Sequence, residues 1–158
     1  MKIILIIAFC LISTLSFAQE INLGGGLGSD KEFNFIGLHS YIELRPDKSL
    51  FSLNIDPSFH TAKSSSFFTI PVYLKMIIGN KLRVCPSIGA FVRTNSNSGW
   101  LTNLNLEFLT SEKTIILAQF SLTTDYTKID RRSSGSALYT EKESSKWIWF
   151  NVGIKRSL

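Results

Sequence analysis

The chain has 158 residues, 44% hydrophobic and 18% charged, with a formal charge of +5. That length bounds the fold to one domain, and a mild excess of scattered Lys and Arg excludes a nucleic-acid patch. Two histidines and two cysteines are too few for a typical zinc site, and no other cofactor is implied.

Residues 1–18 read as an export signal that is cleaved. Lys2 supplies the positive n-region, Ile3 to Ile12 are unbroken apolar residues, and Ser16-Phe17-Ala18 puts small residues where a signal peptidase reads them. The apolar run is too short for a membrane-spanning helix, which needs about 20 residues. Cys10 follows Phe9, which is too bulky for a lipidation box. Cleavage after Ala18 leaves a domain of residues 19–158 beginning at Gln19. Loss of Lys2 lowers the charge from +5 to +4, and Cys85 becomes the single cysteine. An exported domain of this size is then held together without an internal disulfide.

After residue 20 the apolar pattern has period two, the mark of half-buried strands. Strands are predicted at 20–28, 34–44, 50–59, 67–78, 81–93, 99–109, 114–126 and 147–155. In the clearest, Phe68, Ile70, Val72, Leu74 and Met76 fall on one face, with Thr69, Pro71, Tyr73 and Lys75 on the other. Pro71 removes a ladder hydrogen bond, a poor fit in a flat central strand but tolerable at a bulge, which is common in barrels. Gly79-Asn80 reads as a two-residue type II′ hairpin turn. Arg45 to Ser49 and Thr110 to Lys113 are also short, whereas Ser29 to Phe33, His60 to Ser66, Thr94 to Ser98 and Thr127 to Lys146 are mostly longer and polar. Outer-membrane barrels pair short periplasmic turns with longer external loops.

Alternation alone fits two barrels. A membrane barrel turns its apolar face out; a soluble lipocalin-like barrel turns it in around a small apolar ligand. The polar face separates them. It holds Gly24, Gly26, Gly28, Gly37, Gly89 and Gly153, and the aromatics Phe35, Tyr41, Tyr73, Phe91, Trp147 and Trp149. Its charges balance: Glu43, Asp56, Glu107 and Asp125 against Lys75, Arg83, Arg93 and Lys155. A narrow interior needs small residues, aromatics and mutually paired charges, whereas a solvated face carries many long charged side chains. These residues predict an interior charge network. Phe51, Phe68, Trp100, Phe108 and Tyr126 lie near strand ends on the apolar face, where interfacial girdles form.

The end of the signal, Phe17-Ala18-Gln19, is followed by a Gly-rich first strand, the run Ile70-Pro71-Val72-Tyr73-Leu74-Lys75, and Pro86-Ser87-Ile88-Gly89-Ala90 in the next strand. Together they make the chain resemble the small outer-membrane β-barrel (PorT-like, porin-family) proteins of Gram-negative bacteria. The resemblance implies an eight-stranded barrel in the outer membrane, with no defined activity for most members. Some members are secretion accessories, and others resemble membrane domains that anchor the envelope. One departure is the ending Ile154-Lys155-Arg156-Ser157-Leu158, where such barrels usually end in an aromatic residue. Leu158 keeps the apolar phase of the strand.

Catalysis is not indicated. His39 shares the inward face with Glu43 and lies near Asp56, a set suited to acid–base chemistry but more typical of an interior hydrogen-bond network. His60 begins a loop, and Cys85 beside Arg83 reads as a buried inert thiol. Gly24-Gly25-Gly26 lacks the Lys-Ser/Thr and helix of a phosphate loop. Arg131 and Arg132 in the last loop are candidates to contact lipopolysaccharide phosphates, since Arg binds oxyanions in bidentate fashion. The sequence therefore predicts an all-β, eight-stranded antiparallel up-and-down transmembrane barrel. It is expected to lie in outer-membrane lipid, to have a side-chain-filled interior, and to serve envelope structure or surface binding. An accessory of envelope transport, engaging a protein partner, is the alternative beside the soluble barrel.

Overall fold

A computed structural model describes residues 20–31, 34–62, 65–94, 98–132 and 138–158, with backbone alone at 127–132 and 138–144. The predicted export signal, 1–18, lies outside the described residues. The strands are β1 (Glu20–Asp30), β2 (Ile36–Arg45), β3 (Phe51–Ile55), β4 (Ser58–Thr61), β5 (Ser66–Met76), β6 (Ile78–Gly79), β7 (Leu82–Arg93), β8 (Ser98–Leu109), β9 (Thr114–Arg132) and β10 (Leu138–Ser157). β3 with β4, and β5 with β6, each form one interrupted stave, so the wall has eight. All pairings are antiparallel between chain neighbours, and β1 closes the sheet against β10 through pairs such as Gly24↔Lys155 and Gly28↔Asn151. Closure leaves no sheet edge in the wall.

Two prolines explain the interruption of the third stave. Pro57 and Pro71 have no N–H to give, and the ladder gap falls at Asp56 and Pro57, where Asp56 N–H still donates to the Pro71 carbonyl at 3.2 Å. Register is unchanged across the gap: Ile42↔Ile55 and His39↔Ser58 on one side, Ile55↔Val72 and Ser58↔Thr69 on the other. Pro71 therefore sits in the stave without a bulge, because no extra residue is inserted opposite it. The turn expected at Gly79-Asn80 is also displaced. Gly79 pairs with Arg83, at φ 105°, and the reversal follows it. A Cβ at Gly79 would strike the Leu82 carbonyl oxygen, so glycine sits before the turn to admit that approach.

The long loop predicted at Thr127 to Lys146 is mostly ladder. β9 and β10 pair without a break from Arg156↔Thr114 to Leu138↔Arg132, about six residues beyond the last β8 pair, Ser98↔Tyr126. The residues there look loop-like because they mix apolar and polar types without a regular alternation. The other connections, 31–35, 62–65 and 94–97 at one end against 46–50 and 110–113 at the other, differ little in length.

Polarity is inverted relative to a soluble protein. Leu27, Leu38, Leu104, Phe120, Leu122, Phe150 and Val152 point outward and exposed, while Glu43, Asp56, Lys75, Glu107, Asp125 and Lys155 are buried. A soluble lipocalin-like barrel requires the opposite, so that reading is not favoured. Along β8 the outward residues run from Trp100 to Phe108. Eight residue steps give about 27 Å of strand, or about 21 Å of height at the usual tilt, close to the apolar band of a membrane barrel.

Candidate functional site in the barrel interior

The inward residues of each strand project into one lumen, and the stagger of the strands sorts them into layers. At the turn end, β2, β5, β8 and β10 each contribute one charge. Lys75 Nζ lies 2.8 Å from both Glu43 Oε2 and Glu107 Oε1. Lys155 Nζ lies 2.5 Å from Glu43 Oε2 and 2.7 Å from Glu107 Oε1. The four form a closed, neutral cycle of alternating sign in which each lysine touches both carboxylates. Such burial is costly for a lone ion and tolerable only with this pairing. Cys85, fully buried, lies on the same inward phase of β7.

The middle layer is a directed hydrogen-bond chain. Asn151 Nδ2 donates to Gln119 Oε1 at 2.8 Å, Gln119 Nε2 donates to Tyr73 Oη at 3.3 Å, and Tyr73 Oη donates to Asp56 Oδ2. The carboxylate at one end fixes the direction of every donor in the chain. Tyr41 is also buried here, its ring over the paired glycines Gly26 and Gly153, where a Cβ on either would meet it. Covering backbone with an aromatic ring compensates for the missing side chains.

Toward the loop end lie His39, Ser58, His60 and Trp149. Ser58 Oγ is 2.9 Å from His60 Nε2, and the two imidazoles meet edge to face with centroids 5.2 Å apart. Trp149 packs on His60 at 4.5 Å. An interior cavity of about 40 Å³ runs beneath them, bordered by His39, Asp56, His60, Asn103 and Asn151. Above it Arg93 pairs with Asp125, donates to Thr69 Oγ1 at 3.2 Å, and stands over the Phe67 and Phe91 rings at 4.7 and 4.9 Å. Phe35, Phe67, Trp147 and Trp149 then form an aromatic mouth around a recess of about 200 Å³.

The eight charges expected in one network are thus distributed. Glu43, Lys75, Glu107 and Lys155 meet in the cycle; Arg93 and Asp125 pair above it. Asp56 takes a hydrogen bond from Tyr73, and Arg83 donates from Nε to the Asn80 carbonyl at 3.1 Å, in the turn. Arg131 and Arg132 lie near the tip of the β9–β10 hairpin, where Arg132 pairs with Leu138 and Arg131 with Tyr139. His60, expected to open a loop, is instead a buried residue of β4. The signal was present: Ser52, Asn54, Asp56, Ser58 and His60 keep one parity straight through Pro57. Gln119 and Asn151 carried no signal, being uncharged members of an inward face rich in such residues.

The fold is that of transmembrane β-barrels. The chain aligns with the N-terminal β-barrel domain of Pseudomonas aeruginosa OprF at a TM-score of 0.65 and 10% identity, over 89% of this chain and 98% of that one. A de novo designed transmembrane β-barrel aligns at 0.61 and 8% identity, over 89% and 97%. Neisserial surface protein A aligns at 0.53 and 9% identity, over 87% and 94%. No protein-family model and no curated protein matches the sequence.

Proposed function

We propose that this protein is an exported, integral outer-membrane barrel whose lumen is filled by side chains. Its role is structural or surface-binding in the envelope of a Gram-negative bacterium, without catalysis and without an open diffusion pore. The carrying observation is the inverted polarity: outward Leu, Ile, Phe and Val around a lumen of paired charges. Eight strands enclose a space just wide enough for side chains, and here the charge cycle spans it from β2, β5, β8 and β10. The PorT-like resemblance of the Ile70 to Lys75 run belongs to the same proposal.

Boiled and unboiled samples of a salt- and carbonate-washed outer-membrane fraction are compared by gel mobility. The proposal expects the protein there, with a shift on boiling; recovery in the soluble fraction overturns it. Planar-bilayer recordings test the lumen, and steady conductance well above background overturns the filled interior. The β9–β10 hairpin, which extends past the wall, supports the surface-binding role. Lipopolysaccharide is the proposed partner of Arg131 and Arg132, and replacing both with alanine is expected to weaken lipopolysaccharide binding by the folded protein.

A further inference from the structure

Three buried polar atoms in the loop half of the lumen have no hydrogen-bond partner among the described residues and lie around one spot: His39 Nε2, His60 Nδ1 and Asn151 Oδ1. The spot is marked by two glycines that face each other across β1 and β2, Gly28↔Gly37. A Cβ on Gly37 would lie 2.7 Å from His60 Nδ1 and 3.0 Å from His39 Nε2. A Cβ on Gly28 would lie 2.8 Å from the same His39 Nε2 and would collide with Asn151 Oδ1. The missing Cβ atoms thus make a cradle on the backbone over which two imidazole nitrogens and an amide oxygen converge. All three side chains are more than nine-tenths buried, at 6%, 4% and 4% exposure.

We propose that His39, His60 and Asn151 form a binding site for one divalent transition-metal ion of the copper-to-zinc end of the first row. Imidazole nitrogen suits these ions, and an oxygen completes a mixed donor set. Two of the three donors, His60 and Asn151, are oriented from behind, as working metal ligands are. Ser58 Oγ engages His60 Nε2, leaving Nδ1 free to offer its lone pair to the cradle. The Asn151 amide is turned by its bond to Gln119, and the chain through Tyr73 to Asp56 polarises its oxygen toward negative charge. Asp56 borders the same cavity, and its Oδ1 has no hydrogen-bond partner among the described residues, so a counter-charge is at hand. A cavity of about 40 Å³, large enough for a water, borders the same three side chains. Arg93 and Trp149 line both this cavity and the aromatic recess above it, and stand between the two.

The test uses the folded, untagged protein in detergent, titrated with Cu(II) and, separately, Zn(II). The expected result is one ion per chain, with an electron paramagnetic resonance spectrum of the Cu(II) form split by two nitrogens, and Trp fluorescence quenched as Trp149 senses the ion. His60→Ala is expected to lose one nitrogen coupling. Gly37→Ala retains all donors but fills the cradle, and Ser58→Ala removes the support behind His60. Each is expected to weaken binding by about tenfold or more. A folded wild-type protein that binds no stoichiometric ion, or whose Cu(II) spectrum shows fewer than two nitrogens, overturns the site. So does unchanged affinity in Gly37→Ala and His60→Ala. The wild-type spectrum decides the matter even if a variant does not fold.

Discussion

Lys75 shows what burial demands of a single side chain. It has no exposure and touches both carboxylates of the cycle, so its removal leaves Glu43 and Glu107 sharing Lys155. Lys75→Met is expected to cost about 3–5 kcal/mol, the usual penalty for stranding a buried charge, read as a lower urea midpoint of the detergent-folded protein. Adding Glu107→Gln restores neutrality, so the double variant should be less destabilised than the sum of the two singles. Simple additivity would show that the four charges do not act as a unit. Glycines give a second contrast at this scale. A Cβ on Gly89 would enter the Val72 carbonyl oxygen and the Tyr73 side chain, whereas one on Gly25 would lie 3.5 Å from the His39 carbonyl, an ordinary contact. Gly89→Ala should destabilise by about 1–3 kcal/mol and Gly25→Ala should be near neutral. Equal urea midpoints for the two would contradict the close approach of β5 and β7.

At the scale of elements, the hairpin of β9 and β10 divides into two parts with different roles. Up to Tyr126 and Trp149 each strand has a neighbour on both sides; beyond them the two pair only with each other. Joining Thr127 directly to Glu143 through a two-residue turn should therefore leave the heat-modifiable barrel intact, and loss of the mobility shift would mean that the distal ladder is needed for folding. This hairpin also marks the limit of the sequence. Strand positions and faces were legible wherever a stave has one apolar and one polar side, because period two is then imposed by the surroundings of each face. Past residue 126 the sequence keeps no regular alternation of apolar and polar residues, and the segment reads as a loop. The third predicted strand, 50–59, runs through Pro57 but stops two residues short of the end of β4 at Thr61; the inward parity of Asp56, Ser58 and His60 shows that the stave continues. Which charges would meet was not legible either. Parity placed Glu43, Lys75, Glu107 and Lys155 inside, but contact between β2, β5, β8 and β10 depends on the stagger of a closed sheet, and no single strand encodes that.

Across the whole molecule, the assignment of faces reverses the ordinary meaning of a surface substitution. Phe120 lies midway along the barrel portion of β9, outward and 48% exposed, with its ring edge-on to Phe150 at 4.6 Å. On a soluble barrel with this exterior, an outward Phe→Arg change would replace exposed apolar area by a hydrated charge and improve solubility. In a bilayer the same change places a cation at the middle of the apolar band, at about 2–4 kcal/mol, falling to about 0–1 near the interface. Trp100, outward near the loop end of β8, supplies the interfacial comparison. Phe120→Arg should thus lower the folding free energy in phospholipid vesicles several times more than Trp100→Arg. Both proteins should still fold in the vesicles, because neither change touches the interior cycle that spans the lumen. A gradient of this sign follows the depth of each residue in the membrane. A soluble barrel predicts no such dependence, so equal costs at the two positions, or a gain at Phe120, would remove the main physical support for the membrane reading.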